Sequence, residues 1–301
     1  MMVHIISWLE ALAQDVFQIV LLAILAPFIA WCLRYGPAWF GGIATVSPYP
    51  IITQHLAFWH RGWKVGFSGR HGVCLAALLT VMAVLPAITT DLFWISLADP
   101  LLVGVLLLAI RSIAVPPFTA LVRDGRIAGN TRTGIRPLVP AFLLLCLVEA
   151  LSALSASGAD GLGGLCAILH IEPGPGLEGA LAACALALGI ICPPLRHEDV
   201  VMALSDVRDR EDRNQRRVLV ELVNCGWVLF LSDLAFPSGI ALPGSGVTGW
   251  FSGLGLLGAR LILVVLVLGG LRTTGQERSS RLTALFAGLA LLIALAGRFA
   301  T

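Results

Sequence analysis

Charge is scarce in this sequence. Of its 301 residues only 13% are Asp, Glu, Lys or Arg, while 57% are hydrophobic and the mean hydropathy is +0.90. A soluble globular chain is ordinarily about a quarter charged, so the composition excludes an ordinary water-soluble fold. Motifs that bind metals or nucleotides are missing too. The seven cysteines (Cys32, Cys74, Cys146, Cys166, Cys184, Cys192, Cys225) are scattered, and there is no Cys-x-x-Cys, His-Glu-x-x-His, Walker loop or dinucleotide fingerprint. They read as small buried hydrophobes rather than as metal ligands or disulfides. The first residues lack a basic region, and Glu10 interrupts the first apolar stretch, so no secretory signal is expected there. No polar connection is longer than about 40 residues, which argues against a soluble catalytic domain.

What is present is a series of apolar runs. Crossing a hydrocarbon layer of ~30 Å takes roughly 20 apolar residues in a helix. Candidate spans are Val16 to Cys32, Val73 to Leu92, Phe93 to Val115, Leu138 to Leu154, Leu177 to Pro193, Val218 to Phe236, Trp250 to Leu271 and Leu282 to Ala296. Strict alternation is absent, which argues against a barrel, and unpaired backbone is too costly in lipid for anything but helices. The sequence therefore predicts an all-α membrane bundle of about eight transmembrane helices, forming a single integral membrane domain over residues 1–301.

The basic residues support that count. Eighteen of the twenty fall in or beside odd-numbered connections, and only Arg260 and Arg298 lie elsewhere. The even-numbered connections and their flanks carry only acids, such as Asp99, Asp160, Glu172 and Glu178. Basic loops stay cytoplasmic, so both termini are expected outside.

Three cytoplasmic connections stand out. The first contains Arg34-Tyr35-Gly36-Pro37 and Trp59-His60-Arg61-Gly62-Trp63-Lys64, which suits either an interfacial anchor or a re-entrant or amphipathic segment lining a lipid or quinone entrance. The second has Pro116-Pro117-Phe118-Thr119-Ala120, which ends a helix, then Arg123, Arg126, Arg132 and Arg136, suited to phospholipid or to an acidic partner. In the third, Asp209 with Arg213 and Asp212 with Arg216 are spaced for acid-first helical pairs. Its six acids balance six arginines, so it is not a nucleic-acid patch, and it reads as a surface helix or a docking helix. Four ionisable residues fall within or near span ends: Glu149, Glu221, Asp233 and Arg260. Charge at membrane depth usually faces a bundle interior or a partner. Glu149 and Arg260, the deepest, are the candidates for a polar axis, and Asp233, nearer the outer end, is the least informative.

The order of these features resembles the membrane subunit shared by respiratory complex I (NADH dehydrogenase subunit 1) and by formate hydrogenlyase (subunit 4) and other group 4 membrane-bound hydrogenases. Arg34-Tyr35-Gly36-Pro37 is similar to that family's Arg-x-Gly-Pro, and Pro117-Phe118-Thr119-Ala120 to its Ser-Pro-Phe-Thr-Ala. Pro194-Leu195-Arg196 stands where the family has Pro-Phe-Asp, and Glu198 and Asp199 where it has an acidic run. The resemblance implies a non-catalytic anchor in the bacterial inner membrane that binds no metal, flavin or other cofactor of its own, docking hydrogenase-like and iron–sulfur soluble subunits and contacting antiporter-like membrane subunits. It implies docking or quinone-chamber roles for Arg34, Phe118, Arg132, Pro194, Arg196, Glu198 and Asp199, with quinone as a candidate ligand, and a polar axis at Glu149 and Arg260. The cation at Arg196, replacing a carboxylate, favours anchoring over ion pumping. A small-solute transporter and an assembly subunit without coupling chemistry are the competing readings; the two halves show no convincing repeat of the kind transporters often carry.

Overall fold

The computed structural model describes residues 2–40, 42, 45–67, 69–114, 138–155, 161–171, 175–192, 200–201, 204, 209–271 and 276–299. These form ten α-helices: α1 (Met2–Phe40), α2 (Tyr49–Val65), α3 (Gly69–Val84), α4 (Pro100–Ala114), α5 (Leu138–Ser155), α6 (Gly161–Ile171), α7 (Pro175–Ile191), α8 (Arg210–Ala235), α9 (Gly246–Leu271) and α10 (Gln276–Phe299). Among the described residues the one extended pairing is an isolated parallel bridge between Thr89 and Ala241.

Three helices are long and apolar enough to cross a membrane, over Trp8–Gly36, Arg210–Ala235 and Gly246–Leu271. Shorter apolar helical segments of 10–17 residues cover His71–Val84, Pro100–Ala114, Leu138–Ala153, Gly161–Ile171, Gly176–Ile191 and Arg281–Gly297.

Helix α8 is the hub. Its apolar part is buried without interruption from Val218 to Leu234, as expected of a helix that is apolar all round, and the rings of Trp227 and Phe230 meet edge to face at its centre. Helices α1, α3, α4, α7 and α9 pack against α8, while α5 and α10 pack on α7. At the α7–α10 crossing a Cβ on Gly176 would lie 2.8 Å from the Gly297 Cα, so two glycines let these backbones touch.

Helix starts follow their local chemistry. Asp209 precedes α8 and its carboxylate accepts from the Glu211 N–H at 2.9 Å, while Asp99 accepts from Leu102 N–H at 3.0 Å ahead of Pro100, the first residue of α4. Other boundaries differ from the hydropathy reading. The second predicted span runs to Leu92, but α3 ends at Val84, because Pro86 has no N–H to continue the ladder and disfavours helix at Leu85. Residues 81–90 are nonetheless all buried, so hydropathy carries no trace of the break. Two helices lie between predicted spans: α2, in the first connection, and α6, whose Leu162, Leu165, Cys166 and Leu169 are buried.

Candidate functional site

Two buried polar clusters lie toward opposite ends of α8. Glu221 anchors one and Asp233 the other; twelve residues apart, they are separated by ~18 Å along the helix at 1.5 Å per residue.

At the Glu221 end, α2 lies across α1 and α8 and buries Ile51, His55 and Phe58. That spacing of four and three residues puts the imidazole on the inward face. His55 Nε2 lies 2.8 Å from Glu221 Oε2, with His55 3% and Glu221 8% exposed. The other Glu221 oxygen is 3.5 Å from Arg217 Nε, one turn earlier on α8. Arg34, near the end of α1, is within electrostatic reach of both Glu221 and Arg217, and its guanidinium lies 5.3 Å from the centroid of the Tyr35 ring. Two residues of the Arg34-Tyr35-Gly36-Pro37 motif thus stack on one another within electrostatic reach of the buried carboxylate that also receives His55 of α2.

The first turns of α8 continue this network outward. Asp212 pairs with Arg216 at 3.0 Å, as the spacing predicts, and also with His71 of α3 at 2.9 Å. Glu211 pairs with Arg61 of α2. Asp209 caps the helix. Asp209, Glu211 and Asp212, the described acids of the connection that the sequence offers either to a surface helix or to a docking one, are engaged within the chain, and Arg210, Arg213 and Asn214 are exposed.

At the Asp233 end the backbone itself is the polar element. After α3 the chain runs without helix from Leu85 to Trp94, and after α8 it turns through Phe236 to Ser245. The two segments satisfy one another: Ala241 N–H donates to Ile88 O at 3.0 Å, and Thr90 N–H to Ala241 O at 2.9 Å. Side chains complete the pairing. Gln18 of α1 donates to Met82 O at 2.8 Å and to Leu85 O, and accepts from Ala87 N–H at 3.2 Å. Arg260 of α9 donates to Ala87 O at 2.5 Å and to Asp233 at 3.1 Å, and makes a longer contact of 3.5 Å to Phe236 O. Asp15 of α1 accepts from Phe93 N–H at 3.3 Å. Buried irregular backbone is tolerated only where such partners exist. Gly253 of α9 belongs to the same arrangement, since a Cβ there would stand 2.6 Å from Ile88 O.

Of the residues singled out in the sequence, Phe118, Arg132, Pro194, Arg196, Glu198 and Asp199 lie outside the described residues. Arg34 joins the Glu221 cluster. Glu149 and Arg260 are not brought together: the guanidinium is occupied by Asp233, Ala87 and Phe236, whereas Glu149 sits beside Asp99 and the Leu101 N–H at the start of α4. The partner of Arg260 is Asp233, which hydropathy ranks as least informative. Sequence reading missed Asp15, Gln18 and His55, whose only signal is a polar residue on the buried face of an apolar or amphipathic helix. It also missed Arg111, 7% exposed, which reaches Cys192 Sγ at 2.7 Å immediately before Pro193.

Among the described residues no group of three or more His, Cys, Asp or Glu side chains is arranged to hold a metal ion. Glu221 and Asp233 are each matched by a basic side chain. Such an arrangement holds helices and irregular backbone in register and keeps charge inside a low-dielectric interior. Compared with known protein families and with curated proteins, the chain matches none.

Proposed function

We propose that this chain is the membrane anchor and coupling subunit of an oxidoreductase complex of the complex I and membrane-bound hydrogenase kind. In this reading it crosses a bacterial inner membrane eight times, with both termini outside and its basic connections in the cytoplasm. It docks hydrogenase-like and iron–sulfur soluble subunits and adjoins antiporter-like membrane subunits.

The observation that carries the reading is the position of Arg34. The arginine of the motif that resembles that family's is within electrostatic reach of Glu221 and Arg217 toward one end of the central helix, where amphipathic α2 buries His55 against Glu221. The ion pairs of Arg61, Arg216 and Arg217, basic residues of the odd-numbered connections, lie at this same end, which supports assigning it to the cytoplasm. A quinone reaching the complex through this subunit would meet α2 first. Metal and flavin chemistry would belong to the partners, and the pairing of Glu221 and Asp233 with cations supports anchoring over ion pumping.

Mass spectrometry of material gently extracted from native membranes provides the test. Co-recovery of iron–sulfur, hydrogenase-like and antiporter-like subunits is the expected result; a lone chain or homo-oligomer would sink the proposal. Reporter fusions check the topology separately, with residue 209 expected inside and residue 244 outside. The competing reading, a small-solute transporter, draws on the irregular buried backbone joined at Thr89 and Ala241, because broken helices line many transporter sites. Solute flux through the isolated chain in vesicles would favour it.

A further inference from the structure

Helix α2 carries more apolar surface than the bundle covers. Its inward arc holds Ile51, His55 and Phe58. A second arc holds Tyr49, Leu56 and Trp63 at intervals of seven, and these are 69%, 63% and 93% exposed. Half-buried Ile52 and Trp59 lie between the two arcs on a wheel of 3.6 residues per turn. The apolar surface is therefore continuous from the bundle round to Trp63. It stops at an exposed edge formed by His60 and Lys64, while Arg61, farther round, is held by Glu211. The helix contains no Asp or Glu at all.

We propose that this outward stripe is a binding surface for anionic phospholipid, with acyl chains against Tyr49, Leu56 and Trp63 and the headgroup phosphate at Lys64 beside His60. The charge pattern selects this occupant. An edge that bears basic and no acidic side chains next to an aromatic stripe matches an amphiphile whose anion sits just above its hydrocarbon. Trp and Tyr at the two ends of the stripe place their polar tips at the depth where hydrocarbon gives way to headgroups. α2 then acts as a float on the membrane surface, pinned to the bundle from beneath through His55. This rests on the membrane reading above but not on the redox-complex one.

The full chain in lipid nanodiscs tests it, with bromine carried on the acyl chains of either phosphatidylglycerol or phosphatidylcholine. The fluorescence difference between wild type and Trp63→Phe isolates Trp63. That component should be quenched, and titration of the brominated fraction should give about a fivefold preference for phosphatidylglycerol, as one cation at a membrane surface supports. Lys64→Glu should bring the preference to parity or reverse it while quenching by phosphatidylcholine persists. A Trp63 component that no brominated lipid quenches, or equal affinity for the two lipids in wild type, overturns the proposal, the former in favour of a protein partner or water. Quenching of the remaining tryptophans in Trp63→Phe, among them exposed Trp8 and Trp94, reports the membrane reading on its own, so the two failures are distinguishable.

Discussion

Asp233 and Arg260 form an ion pair at 3.1 Å in which the acid side chain is fully buried and the guanidinium is 4% exposed. Removing one partner of a buried pair strands the other charge, at a cost of about 3–5 kcal/mol. Asp233→Leu and Arg260→Leu are each expected to lower resistance to thermal unfolding in detergent strongly. The double variant should recover part of the loss but stay below wild type, because Ala87 O loses its donor whichever residue fills position 260. Additive losses in the double variant would show that the two side chains do not depend on each other.

Gln18 serves the same break from the opposite side, with three hydrogen bonds to Met82, Leu85 and Ala87. Leucine of similar volume would leave Met82 O without a donor at about 1–3 kcal/mol, since Pro86 has no N–H to offer it, and would leave Ala87 N–H and Leu85 O only each other, at 2.9 Å. Glutamate keeps an acceptor for Ala87 N–H but turns an anion toward two carbonyl oxygens. Gln18→Leu and Gln18→Glu should therefore destabilise to a similar degree. Thermal unfolding that leaves either variant level with wild type would mean that the break stands without this side chain.

Asp233, Arg260 and Gln18 show where the sequence was legible and where it was not. Apolar runs marked most of the helices, because burial of a whole helix leaves a hydropathy signature that needs no partner to be read. They did not mark the end of α3, since Leu85 to Thr90 are as buried as the helix before them, and only Pro86 hinted at a stop. They passed over α6, eleven residues long and rich in glycine, because it is too short to register as a span. Asp233 and Arg260 were both visible as charges in apolar surroundings, but their pairing across 27 positions depends on how α8 and α9 cross. Gln18 meets backbone 64 to 69 residues away, and no local pattern announces such a contact. Arg34 was noticed through its motif, yet Glu221 and Arg217, whose charges it feels, belong to α8 and lie far along the chain.

The α7–α10 crossing gives a steric prediction. Gly176→Val would drive a side chain into the Gly297 backbone, where even a Cβ stands at 2.8 Å, and overpacking of this kind costs about 1–3 kcal/mol. At Gly288, on α10, an added Cβ would meet nothing within 4 Å, so Gly288→Ala should be neutral or slightly stabilising through helix propensity. Unfolding in a graded detergent series should separate the two variants clearly. Equal stability would mean that α10 does not pack on α7 through these glycines.

Glu221 is the buried polar contact between α8 and α2, which Arg61–Glu211 ties only at the surface, and its removal should loosen that helix without unfolding the rest. Phe58, 5% exposed, faces the bundle one turn beyond His55. A cysteine at that position should be shielded from a water-soluble maleimide while Glu221 holds His55 at 2.8 Å. In a Phe58→Cys, Glu221→Ala background the imidazole loses its acceptor and Arg217 and Arg34 lose a counter-charge, so α2 should lift and labelling of the cysteine should rise severalfold over that of the native thiols. Glu221→Gln retains an oxygen for His55 but not the charge, and should fall between the two if electrostatic attraction from the arginines contributes to seating α2. Labelling that rises equally at a cysteine placed on buried Leu78 of α3 would mean that Glu221 supports the whole bundle rather than α2 alone.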